Sequence, residues 1–479
     1  MPQRLLGTVA KVTWKPRSKC GPPLEFSYLN IRRHDLASCK GTSPLEGKTL
    51  SVVKPVVVVG AGLAGLVCAR KLHQSGISVI VVDAADRPGG RLKTDRIGGF
   101  QLDHGFQVFF TAYPNARRAL DYDALKFGKF EKGAYLYHGE GLHLLEPQSL
   151  LEMMRNRFAL ARDKTIPNSD KKLLGSFAES VGMMSQRQAF ATTPKTTLEV
   201  LEDFGFGDEI IDRFFRPFLG GIFLDPELQF DSRQFLFVWG MLNQGDTVLP
   251  AEGMEAIAKQ IAGDIPRYLF RFGNPVSEVL KDDHGHACGV RFDTTEEIQA
   301  SQVILATDAH VAGHLAGQPT VEGGKSSCTL YFETPTPLVD GAYLVLNGSG
   351  EGLINHVAPL SSACPSYAPA GKHIASATIL GNPGQTDEEL AEIAKEELSE
   401  WAPTKGANMW RFIKAYRASY AQMQQAVGFA EKLPNNSTAT NGLYWAGEFT
   451  ENSSIDGAIR SGMECAALLM SEREATEAA

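Results

Sequence analysis

Residues 55–94, PVVVVGAGLAGLVCARKLHQSGISVIVVDAADRPGGRLKT, decide how this chain folds. The stretch opens with an unbroken apolar run, Val56–Val59, of the kind a strand buried on both faces of a parallel sheet requires. The run breaks at Gly60, Gly62 and Gly65, with Ala61, Leu63 and Ala64 between them. That GxGxxG spacing gives each glycine a task. Gly60 permits the tight turn, Gly62 lets backbone N–H groups approach a pyrophosphate, and Gly65 lets helix and strand pack closely. Leu63, Leu66, Val67 and Leu72 then recur at helical spacing, and Gly76 is placed to end the helix. Its N-terminus turns free N–H groups and the positive dipole end toward the phosphates. A second apolar run, residues 77–82, ends on Asp83 and Ala84. The Asp83 carboxylate stands close to the distance of about 20 residues at which such folds hydrogen-bond a ribose. An acid at that place also ends a strand by reaching solvent.

Length and composition fit an enzyme of ordinary globular make-up. The chain has 479 residues, enough for two or three domains, with 43% hydrophobic and 21% charged residues. A net charge of -8 argues against nucleic acid or an anionic membrane as a general partner. The seven cysteines are scattered, with no CxxC pair, which points to a reducing compartment and no structural metal.

Residues 1–50 are different. They carry nine Lys or Arg against three Asp or Glu, with frequent hydroxyl residues and no continuous apolar segment. This is the composition of an organelle transit peptide, or of a disordered basic tail, rather than of a secretory signal. Nothing further along reaches the ~20 apolar residues of a membrane span.

Asp86-Arg87-Pro88-Gly89-Gly90-Arg91 follows the strand-end acid. It resembles the GGR extension of the flavoprotein group that holds amine oxidases, protoporphyrinogen oxidases and plant-type phytoene desaturases. The resemblance implies FAD, with Gly90, Arg91 and Leu92 against its pyrophosphate. A glycine pair lets main chain approach, and Arg91 offers a planar fork to phosphate oxygens. Amine oxidases often carry an arginine two residues past the strand-end acid, where this chain has Ala85. The segment 98–115, GGFQLDHGFQVFFTAYPN, looks like the part of phytoene desaturases that passes beneath the flavin. Gly105 and Phe106 are its site residues by that likeness. His104 is either an acid/base beside the flavin or a brace for the loop.

Residues 117–247 read as mostly helical, with apolar residues at helical spacing over 150–160. Within them, residues 214–224 are dense in aromatics and broken by Pro217 and Gly220-Gly221. Three readings stand: core, a wall for an extended apolar substrate, or a surface patch dipping into a membrane. Residues 249–254, LPAEGM, resemble the P-x-G-G-M turn of the same flavoproteins. Residues 274–279 and 289–292 read as a hairpin; in the resembling family this strand passes the adenine, which would put Val276 there, and residues 302–308 resemble the strand that brings Ala306 to the pyrophosphate. Residues 328–332, 342–346 and 373–379 are strand-like. Thr386 and Glu389 make a capping box for a helix buried along Leu390, Ile393, Leu398 and Trp401.

The closing segment 442–462, GLYWAGEFTENSSIDGAIRSG, repeats the logic of the opening one. An apolar strand ends on Gly447 and Glu448, and Ile455 begins a helix of small residues that includes Ala458. In the resembling family the acid binds the ribityl chain and the helix N-terminus faces the flavin pyrimidine. The dipole there stabilises charge on reduced flavin. Ser454-Ile455-Asp456-Gly457-Ala458 is similar to the ending of phytoene desaturases. Lys325 is the one lysine near a strand start that amine-oxidase likeness would single out. Its Gly324 and Ser326 neighbours suggest surface exposure instead.

The expectation is an α/β protein: a Rossmann-type FAD-binding domain (residues 54–116, 246–320 and 436–472) with an inserted α+β substrate domain (117–245 and 321–435), behind a transit-like segment (1–53). The resemblance implies an oxidoreductase that removes hydride from a C–H bond of an apolar, isoprenoid- or carotenoid-like substrate. Oxygen or a quinone would serve as electron acceptor, the residence would be a chloroplast or mitochondrion, and membrane contact would be peripheral. A flavin amine oxidase, a protoporphyrinogen oxidase-like enzyme and a flavin-binding assembly protein are the alternatives.

Overall fold

A computed structural model describes residues 54–139, 141–146, 165–321 and 323–478. The transit-like segment and the helical spacing over 150–160 lie outside the described residues. The fold is α/β and is organised by two sheets.

The first sheet has five parallel strands in the order Phe270–Phe272, Val79–Asp83, Val56–Val59, Gln302–Leu305, Leu443–Trp445. Val56, Val57 and Val58 at its centre are wholly buried. Burying each such side chain is worth about 1.5–3 kcal/mol, which is why an all-valine run takes this place. The helix Leu63–Gln74 follows the central strand and ends at Gly76, whose φ of 79° is the left-handed turn glycine allows. Its partner is the last helix, Ile455–Ala478. A Cβ on Gly462 would lie 2.3 Å from the Ala64 carbonyl oxygen, so the small residues of the closing segment serve close helix contact.

The second sheet has seven strands in the order Arg411–Met423, Gly324–Thr334, His373–Leu380, Ile354–Ala358, Leu344–Asn347, Ala134–His138, Gly141–Leu145. All pairs are antiparallel except Leu344–Asn347 with Ala134–His138. Side chains alternate in period two. Cys328, Leu330, Phe332, Ala375, Ala377 and Ile379 pack in one core with Leu390, Leu398 and Trp401 of the capped helix Asp387–Trp401. Ser327, Leu344, Leu346, His356 and Thr378 line a cavity.

One expectation needs correcting. Residues 117–247 are not uniformly helical, because Ala134–His138 and Gly141–Leu145 pair as a hairpin at the edge of the second sheet. Ala134 and Leu136 are buried while Tyr135 and Tyr137 are half-buried, so the stretch follows a period of two. The described remainder is mostly helical, as expected, apart from the short strand Gly128–Lys129 and connecting loops. Asn168–Val181 and Ser232–Gln244 meet through Phe177 and Phe235, stacked at 5.6 Å.

Candidate functional site

A cavity of about 1810 Å³ opens at the carboxyl ends of the parallel strands and extends to the second sheet and the helices of residues 168–243. Ligand pockets hold roughly 300–1,000 Å³, so this one has room for a cofactor and a substrate together.

The glycine turn forms one wall. Gly60 has φ 113°, and a Cβ there would fall 2.4 Å from the Ala306 carbonyl oxygen. A Cβ on Gly65 would fall 2.0 Å from the Gly60 oxygen, so these two glycines are required by packing. Gly62 is different. The nearest atom to a Cβ there is the Gly90 Cα, 4.0 Å away, across open space. Gly90 faces it with φ 58°, and a Cβ on Gly90 would stand 3.0 Å from Gly62 Cα. The two glycine motifs thus make a cradle that side chains would fill. Asp83 braces this turn: its Oδ2 accepts from Ala61 N at 2.6 Å and its Oδ1 from Ala85 N at 2.7 Å.

Arg91 and Glu448 close the cradle from opposite ends of the chain. Arg91 Nη1 donates to Glu448 Oε1 at 2.7 Å and to the Ala421 carbonyl at 2.8 Å, and the guanidinium stands over the Tyr420 ring. Ser453 Oγ donates to Glu448 Oε2 at 2.9 Å. Asp456, at the start of the last helix, accepts from Asn115 N, Asn115 Nδ2 and Ala116 N at 2.7–2.9 Å. The Ala-Tyr-Pro-Asn and Ser-Ile-Asp-Gly-Ala stretches are therefore two halves of one clamp. It fixes the N-terminus of that helix at the cavity, where Ile455 and Ala458 face in.

The loop between Asp103 and Phe109 crosses the cavity. Gln107 Nε2 donates to the Arg91 carbonyl at 2.8 Å, and Phe106 N to Thr329 Oγ1 at 3.2 Å. His104 lines the cavity but is held from behind, with Nε2 3.2 Å from Asp95 Oδ1 and its ring stacked on Tyr416 at 4.6 Å. Burial pushes the Asp103 carboxyl up to about 6, although Thr94 Oγ1, Met254 N and Tyr367 OH all donate to it. Asp103 sits beneath the loop, outside the cavity wall.

The far end is apolar. Residues Ile211–Phe215 form a single turn of π-helix leading into the helix Arg216–Phe223. Such turns recur at functional sites because they re-aim the side chains around them. Phe214 and Phe218 stack at 5.3 Å and face the cavity with Ile222 and Leu224. Phe215 and Leu219, on the other side, are wholly buried in the core. The stretch is thus both core and wall. Its large side chains turn inward, so it is not an outward patch for a membrane. Trp239 and Leu242 complete this end.

One polar cluster here has no signal in the sequence. His356 and Thr378, both 4% exposed, line the cavity, and neither His356 Nε2 nor Thr378 Oγ1 has a hydrogen-bond partner among the described residues. Burial pushes the His356 ring down to about 4, so it is neutral. A lone histidine in a strand carries no motif. Only its opposition to a threonine across the sheet reveals it.

Of the residues singled out from sequence, Gly60, Gly62, Leu63, Ala64, Asp83, Ala84, Gly90, Arg91, Leu92, Gly105, Phe106, Val276, Ala306, Gly447, Glu448, Ile455 and Ala458 line this one cavity. Ala61 and Gly65 lie behind its wall, where Ala61 serves Asp83 and Gly65 serves packing. Lys325 is not simply exposed: it is half-buried and ion-paired with Asp225 at 3.4 Å, and it is not among the residues that line the cavity. Among the described residues no group of His, Cys, Asp or Glu could hold a metal ion, and no helix is long and apolar enough to cross a membrane.

Comparison with known proteins agrees with this geometry. The family model described as flavin containing amine oxidoreductase matches residues 63–470. Lysine-specific histone demethylase 1 homolog 1 of Arabidopsis thaliana is 44% identical over 82 residues, 16% of this chain and 9% of that protein. Protoporphyrinogen oxidase 2, chloroplastic/mitochondrial, of Arabidopsis thaliana is 28% identical over 202 residues, 39% of this chain and 36% of that protein. The chain therefore spans well under two thirds of either relative. Among solved structures, wild-type putrescine oxidase bound to putrescine is similar with a TM-score of 0.66 at 18% identity, over 87% of this chain and 99% of that one. At that identity the likeness is one of fold.

Proposed function

Since the chain belongs to the family of flavin-containing amine oxidoreductases, an FAD-dependent family, we propose that it is an oxidoreductase acting on a C–H bond of an apolar small molecule. In this reading the parallel-sheet part, residues 54–116, 246–320 and 436–472, holds FAD, and residues 117–245 and 321–435 hold substrate. The Gly62–Gly90 cradle takes the pyrophosphate, Val276 and Asp83 the adenosine end, and Glu448 with the helix beginning at Ile455 the ribityl chain and ring. Bound FAD supplies the hydride acceptor. The chain's own residues do the rest. Phe106 and the loop around it floor the site, the clamp at Asp456 aims a helix N-terminus at developing negative charge, and the aromatic wall excludes water.

The observation that carries the apolar substrate is the far wall of Phe214, Phe218, Ile222, Leu224, Trp239 and Leu242. A cationic amine would need a desolvated anion, but Glu448 is engaged by Arg91 and Ser453, Asp246 by Lys129, and Glu131, Glu146, Glu179 and Asp308 of the lining are exposed. A desaturase or isomerase of an isoprenoid- or carotenoid-like substrate fits best, with oxygen or a quinone as electron acceptor. Anaerobic mixing of the FAD-loaded protein with isoprenoids, polyamines or aryl amines tests this. Bleaching of the flavin by isoprenoids is expected, bleaching by amines alone would reverse the assignment, and bleaching by nothing offered would favour a flavin-binding assembly role.

A second reading, oxidation of a porphyrinogen-like tetrapyrrole, is favoured by Lys132 and Lys172 on the cavity wall, which suit substrate carboxylates. The similarity to the Arabidopsis protoporphyrinogen oxidase supports the same reading. The basic composition of residues 1–50 supports a chloroplast, or else a mitochondrial, address. Residues 1–54 fused to a fluorescent reporter should carry it into plastids, and a cytosolic reporter would count against that.

A further inference from the structure

We propose that His356 and Thr378 form a hydrogen-bonding anchor for an oxygen of the substrate, whose class is then an apolar molecule bearing a hydroxyl, carbonyl or carboxyl oxygen rather than a bare hydrocarbon. The proposal rests on the reading that the apolar end of the cavity takes substrate. His356 and Thr378 are direct cross-strand partners on the second sheet. Both line the cavity, both are 4% exposed, and His356 Nε2 and Thr378 Oγ1 lack partners among the described residues. Buried polar groups are nearly always hydrogen-bonded, so two neighbouring exceptions on a cavity wall mark a place where a ligand supplies the partner.

The chemistry of that partner follows from the histidine tautomer. Asn355 Nδ2 donates to the Pro217 carbonyl at 2.8 Å, which fixes the orientation of the amide because a carbonyl only accepts. The same nitrogen lies 2.9 Å from His356 Nδ1, so Nδ1 is the acceptor and the proton resides on Nε2. Burial keeps the ring neutral. The wall therefore offers an N–H donor, and beside it a hydroxyl that donates or accepts. An oxygen acceptor satisfies both, while a hydrocarbon leaves both unpaired. Gly221 protects the arrangement, since a Cβ there would stand 2.9 Å from both Asn355 Nδ2 and His356 Nδ1. The Phe106 ring packs beside the anchor, 5.2 Å from that of His356.

The test titrates the FAD-loaded protein with farnesol, farnesal and the hydrocarbon farnesene, reading the shift in flavin absorbance. Farnesol and farnesal should bind up to roughly tenfold more tightly than farnesene. His356→Leu should bring all three within about twofold while farnesene affinity holds, and His356→Gln, which restores a donor, should recover part of the preference. If His356→Leu loses flavin, Thr378→Val, nearly isosteric, decides the matter by a loss of about threefold in the same preference. Equal affinities in the native protein, or a preference untouched by these variants, would overturn the anchor and leave the apolar site standing. Failure of all three probes to bind would overturn the apolar-substrate reading, and the anchor with it.

Discussion

The Arg91 guanidinium donates to the Glu448 carboxylate at 2.7 Å, joining two residues 357 positions apart at the edge of the cavity. Glu448 is buried, and Arg91 is its cationic partner. Arg91→Ala should cost about 1–3 kcal/mol of stability and lower flavin content together. Arg91→Lys, a single point charge in place of a fork, should fall between. Thermal melting and the flavin-to-protein absorbance ratio report both quantities, and a protein that loses stability but keeps all its flavin would separate Arg91 from the cofactor.

The two ends of the glycine turn should fail differently. Gly60→Val drives a side chain into the Ala306 carbonyl and demands a left-handed φ, so the protein should misfold. Gly62→Val enters open space and should leave a folded, colourless protein. Circular dichroism beside flavin absorbance distinguishes these outcomes; a yellow Gly62→Val protein would remove the cradle from its role.

Phe218→Asp and Ile222→Asp place a carboxylate on the apolar wall without touching the glycine cradle. Flavin content should persist while binding of isoprenoid probes falls by tenfold or more, given about 2 kcal/mol or greater for an unpaired charge facing apolar surface. Probe affinity unchanged in both variants would place the substrate elsewhere.

The buried His356 ring also sets a pH dependence. Its value in the folded protein, about 4, lies below the usual 6.5, so the unfolded chain takes up the proton first as pH falls. The contribution of the ring to stability is whole above pH 6.5 and is lost progressively down to about pH 4, about 3 kcal/mol in all. Urea midpoints of the native protein should therefore fall more steeply across this window than those of His356→Gln. Parallel profiles would show that folding does not lower the proton affinity of the ring.

What could be read from the sequence was whatever steric necessity writes locally. Gly60 and Gly65 are demanded by contacts below 2.5 Å, and the valine run by burial on both sides, so both announce themselves in one dimension. The capping box at Thr386 and Glu389 is equally local. Asp83 shows the limit, since its spacing suggests a ribose while its carboxylate also carries the N–H groups of Ala61 and Ala85. The hairpin at residues 134–145 escaped because its burial follows pairing with the distant strand Leu344–Asn347. His356 escaped for a related reason. Its meaning lies in Thr378, Asn355 and Gly221, which tertiary contact brings to it.

The parallel sheet draws its strands from residues 56–83, 270–305 and 443–445, and this sets a timetable. On a ribosome adding about 5–20 residues per second, the glycine cradle emerges early and waits for its far wall. Glu448 arrives 357 residues after Arg91, together with the Asp456 clamp and the edge strand Leu443–Trp445. At the proposed site flavin is therefore captured only once both walls have been made, and its binding then draws such chains toward the folded state by mass action. On that reading the cofactor reports the presence of residues 443–458: a chain that stops short of them has no closed cradle to fill.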